Sequence, residues 1–178
     1  MAAANDTTLP PCRTDILISI HPRHVANIVA RVKNHEFRKY LLPSDVCRLW
    51  IYETRPASAV AYVATISPGK RPGEICDPSG LRNDGFDEGR LENLAKYAYE
   101  TRRLEALAVP LSLGDLKERG WLNGAPQKYC YVQQEMLQAL SAAEMRLVFD
   151  SAEDVAGGET SSGGPAEAML GTNQAGTG

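Results

Sequence analysis

The sequence predicts an α+β fold, and three observations carry that expectation. Short apolar, β-branched runs recur as DILISI at 15–20, VCRLWIYET at 46–54 and AVAYVATI at 59–66. Between the first two lies a stretch with helical periodicity, Val25, Ile28, Val29 and Val32 at i, i+3, i+4 and i+7. The composition then changes at Ser151. From there to the end come seven glycines, no aromatic residue and Leu170, beside Met169, as the one large aliphatic. Such a segment cannot bury enough apolar area to offset its chain entropy. The expected organisation is a flexible arm over 1–12, one folded domain over 13–150, and a disordered, acidic Gly/Ser/Ala-rich tail over 151–178.

Each element follows in order. The first strand, 15–20, is broken by His21-Pro22, and Pro22 suits the first turn of a helix, where its missing N–H costs nothing. That helix is expected over 22–32. Glu36-Phe37-Arg38 alternates polar and apolar residues as a short strand does. Residues 42–45 (LPSD) form a turn, 46–54 a central strand, and 59–66 a further strand. The connection between those two is short enough to predict antiparallel pairing. The stretch 67–85 is rich in Gly, Pro, Asp and Asn and reads as a long loop or lid. A short helix at 87–94, a strand within 95–109 and one or two helical turns at 113–119, ended by Gly120, come next. The last elements expected are a strand at 129–132 and a helix over 133–147 with Met136, Leu137, Leu140 and Met145 on its apolar side.

Composition excludes several classes. With 43% hydrophobic and 23% charged residues, the 178-residue chain is ordinary for a globular protein and long enough to bury a core without staples. No stretch approaches the roughly 20 apolar residues of a membrane span. Residues 1–11 lack both the basic start and the apolar run of a secretory signal. The four cysteines (Cys12, Cys47, Cys76, Cys130) form no C-x-x-C pair and have no histidine at ligand spacing, so neither a metal nor another cofactor is expected. Reduced thiols of this kind suit the cytosol or nucleus. The net charge of −3 hides an asymmetry. Residues 13–55 carry eight basic side chains against four acidic ones, a modest positive field that admits an anionic partner.

The chemistry concentrates in Arg31-Val32-Lys33-Asn34-His35-Glu36-Phe37-Arg38. Lys33 leaves the helix end, where a cation suits the macrodipole. On a strand, Glu36 and Arg38 are two apart and share one face. A lysine, a glutamate and an arginine thereby converge at one helix–strand junction, either as an ion-pair cluster fixing the junction or as a binding site.

These residues carry a resemblance. Ile16-Leu17-Ile18-Ser19-Ile20-His21-Pro22 resembles the opening strand of the ASCH domain family of the PUA-like superfamily, Leu-x-Ser-Ile-Lys-Pro. Lys33-x-x-Glu36-Phe37-Arg38 is similar to the family's Gly-x-Lys-x-x-Glu-x-Arg. Ile51-Tyr52-Glu53-Thr54-Arg55-Pro56 resembles its Ile-Tyr-Ala-Thr-Ser-Pro, and Ala59-Val60 with the strand after it fits too. Leu111-Ser112-Leu113 and Ala125-Pro126-Gln127-Lys128-Tyr129 resemble its late Pro-Leu-x-Leu and Pro-Pro-Gln-Ser-Tyr segments. The ordered match spans about 15–132. It implies a small, curved, β-barrel-like mixed sheet with flanking helices. It also implies a cleft beside the first helix, floored by Lys33, Glu36 and Arg38. Family members are thought to bind RNA there, in transcription coactivation or RNA processing; a few are amidohydrolases of acetylated cytidine, and others have been proposed as ribonucleases. The departures are Arg31 where the family has a helix-ending glycine, His21 in place of the lysine before the proline, and Glu36 where the amidohydrolases carry a threonine nucleophile. A carboxylate replaces an alcohol nucleophile poorly, which counts against amide hydrolysis.

Two readings follow. In RNA or nucleotide binding, Lys33 and Arg38 contact phosphates, Glu36 accepts from a base edge or holds Arg38, and Tyr52, Tyr129 or Tyr131 stack on a base. Thr54 and Gln127 are then polar readers. In hydrolysis, Lys33 and Glu36 act as base or acid, with water, Thr54 or Ser19 as nucleophile. His24 and His35 are scattered and are expected at the surface, and no membrane partner is expected.

Overall fold

The computed structural model describes residues 11–92, 94–141 and 145–152. The expected arm and tail lie outside the described residues except for Pro11, Cys12, Ser151 and Ala152. Strand β1 (Asp15–Ile20) leads into helix α1 (Pro22–Val29), whose N-cap His21 accepts the Arg23 amide through Nδ1. Strands β2 (His35–Arg38), β3 (Arg48–Glu53) and β4 (Ala59–Ile66) follow. After a long loop come α2 (Asn83–Asp87), the sixteen-residue strand β5 (Tyr97–Ser112), α3 (Leu113–Glu118), β6 (Cys130–Tyr131), α4 (Gln134–Ser141) and β7 (Met145–Asp150).

The seven strands form one mixed sheet in the order β2-β5-β4-β3-β1-β6, with β7 on β5. Among the described residues only β1 and β3 run parallel; β3 and β4 are antiparallel, as the short connection predicts. β5 serves two partners in succession on its way, β2 along Tyr97–Glu100 and β7 along Arg103–Leu107, while pairing β4 from Thr101 onward. Register shifts in β3–β4, β4–β5 and β5–β7 let so long a strand bend, and the sheet curls into the barrel-like form.

Both faces of the sheet are covered. Ile16, Ile18 and Ile20 alternate onto one face, with Val25 and Ile28 of α1 over them. Leu17, Trp50, Tyr52, Val60 and Val63 point the other way and pack under Leu116 of α3 and Met136 and Leu140 of α4. This two-sided burial explains why β1 reads as a continuous apolar run.

Three helices differ from expectation. α1 stops at Val29, three residues early, because Arg31 takes the left-handed conformation (φ 60°) in the place where the family pattern has glycine. Val32 is consequently 49% exposed and does not extend the apolar face. The helix expected at 87–94 lies at Asn83–Asp87, anchored by buried Phe86 and followed by Gly89 at φ 68°. The helix expected over 133–147 ends at Ser141, and β7 pairs with β5 instead, fastened by an Arg103–Asp150 ion pair at 2.8 Å. No helix among the described residues is long and apolar enough to cross a membrane.

Candidate functional site

β2 leaves the α1 end with Lys33 closing the helix, its amide donating to the Asn27 carbonyl at 2.9 Å. Its side chain turns inward and pairs with Glu36. Lys33 and Glu36 are 4% and 8% exposed. The second carboxylate oxygen of Glu36 meets Arg38 Nη2 at 3.0 Å, and the same guanidinium donates to the Ser19 carbonyl at 3.0 Å. The shared strand face therefore brings Lys33, Glu36 and Arg38 together as the spacing predicts. Burial pushes the Glu36 carboxyl up, but the Lys33 and Arg38 charges outweigh it and hold the group ionised, below its ordinary range.

These side chains floor a cleft of about 230 Å³ lined by Ser19, Ile20, His21, His24, Lys33, Glu36, Phe37, Arg38 and Arg82. Among the described residues, His24 Nδ1 and Arg38 Nε are buried without a hydrogen-bond partner. Burial, reinforced by the Lys33 charge, keeps the His24 imidazole below its ordinary pKa and so neutral at pH 7.

The remaining expected site residues divide. Tyr52 is corrected: it is 2% exposed, in the core on the face opposite α1, and cannot stack a base. Thr54 donates its amide to the Ile20 carbonyl at 3.0 Å but does not line the cleft. Gln127 is exposed and turned onto the Ala125 carbonyl, although the adjacent Pro126 carbonyl accepts from Ser19 Oγ at 2.7 Å and docks this loop on β1. Tyr129 lies outside the cleft in a half-buried ladder, 5.8 Å from the Tyr40 ring and 6.1 Å from Tyr131, with Lys128 Nζ 4.4 Å above Tyr40. Neither histidine is the surface residue expected. His24 lines the cleft, and His35 is 2% exposed, its pKa pushed down to about 4 by burial and by nearby Lys70.

Sequence reasoning missed Arg82, which reaches the cleft from the long loop. Nothing local marks it; its placement depends on Asn34 at the α1–β2 junction. Asn34 Nδ2 donates to Asp77 at 2.8 Å, and its Oδ1 accepts from buried Asn83 Nδ2 at 3.0 Å. The Leu81 amide donates to the Val32 carbonyl at 2.8 Å. Gly80 is what permits this approach, since a Cβ there would sit 1.9 Å from Asn34 Oδ1 and 2.4 Å from Asn83 Nδ2. Gly80→Ala is expected to lower stability by about 1–3 kcal/mol, as overpacking does. Chemical denaturation measures it, and an unchanged midpoint would show that the loop is not seated this way.

No family model matches the chain. It is 29% identical over 140 residues to an ASCH domain-containing ribonuclease from Zymomonas mobilis, covering 73% of this chain and 92% of the relative. Crystal structures of the Zymomonas mobilis ASCH protein superpose on it. A serine-to-alanine mutant gives a TM-score of 0.58 at 26% identity, covering 76% of this chain and 100% of the other. The unmutated protein gives 0.59 at 24% identity, covering 75% and 98%.

Proposed function

We propose that the chain is an ASCH domain, as its likeness in sequence and fold to the Zymomonas mobilis protein supports, and that it binds single-stranded RNA through the Lys33–Glu36–Arg38 cleft and the tyrosine ladder beside it. The observation that carries this is the charge of the cleft: Lys33, Arg38 and Arg82 stand against Glu36 alone. Arg38 lines the cleft with its side chain 19% exposed, and arginine grips phosphate oxygens through a planar fork. The Tyr40–Tyr129–Tyr131 ladder gives unpaired bases aromatic faces, each stacked base contributing roughly 1–3 kcal/mol. Arg38 joins the two parts, since it also interacts with the Tyr40 hydroxyl.

RNA cleavage is a second reading, favoured by the neutral imidazole of His24 in the cleft and by a relative named a ribonuclease. A neutral imidazole can take the proton of a ribose 2′-hydroxyl as it attacks the adjacent phosphorus and, as imidazolium, return it to the departing 5′-oxygen, which leaves as a hydroxyl beside a 2′,3′-cyclic phosphate.

Both readings are tested with labelled single-stranded oligoribonucleotides and the full chain. Anisotropy is expected to show affinity falling with salt at a log–log slope of about −2, from about three phosphate contacts at ~0.7 each. Arg38→Ala should weaken binding at least about tenfold, the loss of a charge-assisted contact. A salt-independent affinity would refute the electrostatic mechanism. Gel analysis of the same mixtures reads cleavage, and intact RNA after prolonged incubation removes the second reading for those sequences.

A further inference from the structure

Resting on the RNA-binding reading, we infer that Arg82 makes the cleft a phosphomonoester site, which takes the terminal phosphate of an RNA end or of a nucleoside monophosphate in preference to an internal phosphodiester. Three observations converge on it. The first is charge. Lys33, Arg38 and Arg82 face a single carboxylate, Glu36, which Lys33 and Arg38 already share. Two positive charges are left over. An internal phosphodiester carries one negative charge, whereas a phosphomonoester carries nearly two at pH 7, its second pKa lying near 6. Among the described residues no carboxylate pairs with Arg82, so its charge is not spent within the protein.

The second is enclosure. The lining comes from the end of β1, the start of α1, β2 and the 67–82 loop, so the cleft is a half-open recess with walls from four segments. A terminal group enters such a recess without the chain having to leave it again. His24 and Arg38 both line this recess, and among the described residues their Nδ1 and Nε atoms are buried without a hydrogen-bond partner.

The third is preorganisation. Arg82 has a left-handed backbone (φ 71°) just after the Gly80–Asn34 contact, and its neighbour Asn83 is fully buried and donates to both Asn34 Oδ1 and the Asp77 carbonyl. Asp77 in turn accepts from Ser79 Oγ at 2.6 Å and from its amide at 3.0 Å. The loop therefore fixes the Arg82 backbone beside the cleft before any ligand arrives, so that only its side chain remains to be ordered on binding.

The test compares one short oligouridylate bearing a 5′-hydroxyl, a 5′-phosphate or a 3′-phosphate, with uridine monophosphate and uridine as competitors. The full chain is used beside Arg82→Gly, which keeps the left-handed backbone, and Arg82→Lys, which keeps the charge. A phosphorylated end should strengthen binding about tenfold, as one added charge-assisted contact does. In Arg82→Gly that ratio should fall to near one, and in Arg82→Lys most of it should remain. Uridine monophosphate should compete where uridine does not, and its competing alone against a labelled nucleotide identifies the free nucleotide as the source. Equal affinity for hydroxyl and phosphate ends in the parent chain overturns the inference and leaves RNA binding standing. Monophosphate binding without any oligonucleotide binding does the reverse. A ratio unchanged in Arg82→Gly overturns the role of Arg82.

Discussion

Lys33→Ala is expected to cost about 3–5 kcal/mol of stability, because it strands a buried carboxylate. Both members of the pair are almost wholly out of water, at 4% and 8% exposure. Once Lys33 is gone, Glu36 keeps only Arg38, which is partly solvated and already engaged with the Ser19 carbonyl. Loss of RNA binding in this variant would by itself be ambiguous, since a partly unfolded chain binds nothing. The Lys33→Met, Glu36→Met double variant separates the two causes. Replacing a whole buried ion pair by apolar residues of similar volume is often neutral or stabilising. The double variant should therefore melt near the parent and still fail to bind RNA. Should the single variant prove as stable as the parent, Lys33 and Glu36 do not form a buried pair. Should the double variant bind RNA normally, the cleft is not the site.

How much of this was legible beforehand depends on the range of the information. The β1 strand, the α1 periodicity and the Lys33–Glu36–Arg38 junction are local, encoded within one or two turns or strand repeats, and the structure has them. The helix end was only half marked: the family pattern has glycine at 31, which left Arg31 either another geometry or strain, and it takes the left-handed backbone at φ 60°, ending the helix before the expected 32. Its guanidinium lies 5.1 Å over the Phe149 ring of β7, a contact that connects the strained helix end to the last strand. What was not legible is non-local. The first residues of β7, 145–147, read as helix because Met136, Leu137, Leu140 and Met145 continue a helical pattern, and only pairing with β5 decides otherwise. Tyr52 looked available because strand alternation does not reveal that α3 and α4 cover the far face. Arg82 could not be found at all, since its place is set by the contacts of Asn34 with Gly80 and Asn83, 46 or more residues further along the chain. Sequence periodicity shows which residues share a face. It does not show which loop will lean over it.

Asp15→Ala should be comparably damaging, about 3–5 kcal/mol, for a related reason at the opposite end of β1. Asp15 has no exposed surface, yet its carboxylate accepts from Arg48 Nε at 2.6 Å, Trp50 Nε1 at 2.8 Å and Thr14 Oγ1 at 2.6 Å. It thereby ties β1 to β3 across the one parallel pairing of the sheet, and it satisfies the indole of Trp50, itself 1% exposed in the core. Burial raises the Asp15 pKa, but the bonds from Thr14, Trp50 and Arg48 outweigh it, and the net shift is downward. The sign follows from linkage. A carboxyl whose folded pKa lies below its unfolded value stabilises the fold fully above about pH 4, the unfolded range, and loses that contribution as pH falls through the folded value. Glu36 is shifted in the same direction and adds to the same acid limb. The urea midpoint of the parent should therefore fall steadily as pH drops below about 4. Asp15→Asn, which keeps the shape and removes the titration, should start lower at neutral pH and fall less steeply, with the remaining slope assigned to Glu36 and the exposed carboxylates. Parallel curves for Asp15→Asn and the parent would show that Asp15 titrates alike in the folded and unfolded chain, and that its bonds to Arg48 and Trp50 are not what holds β1 against β3.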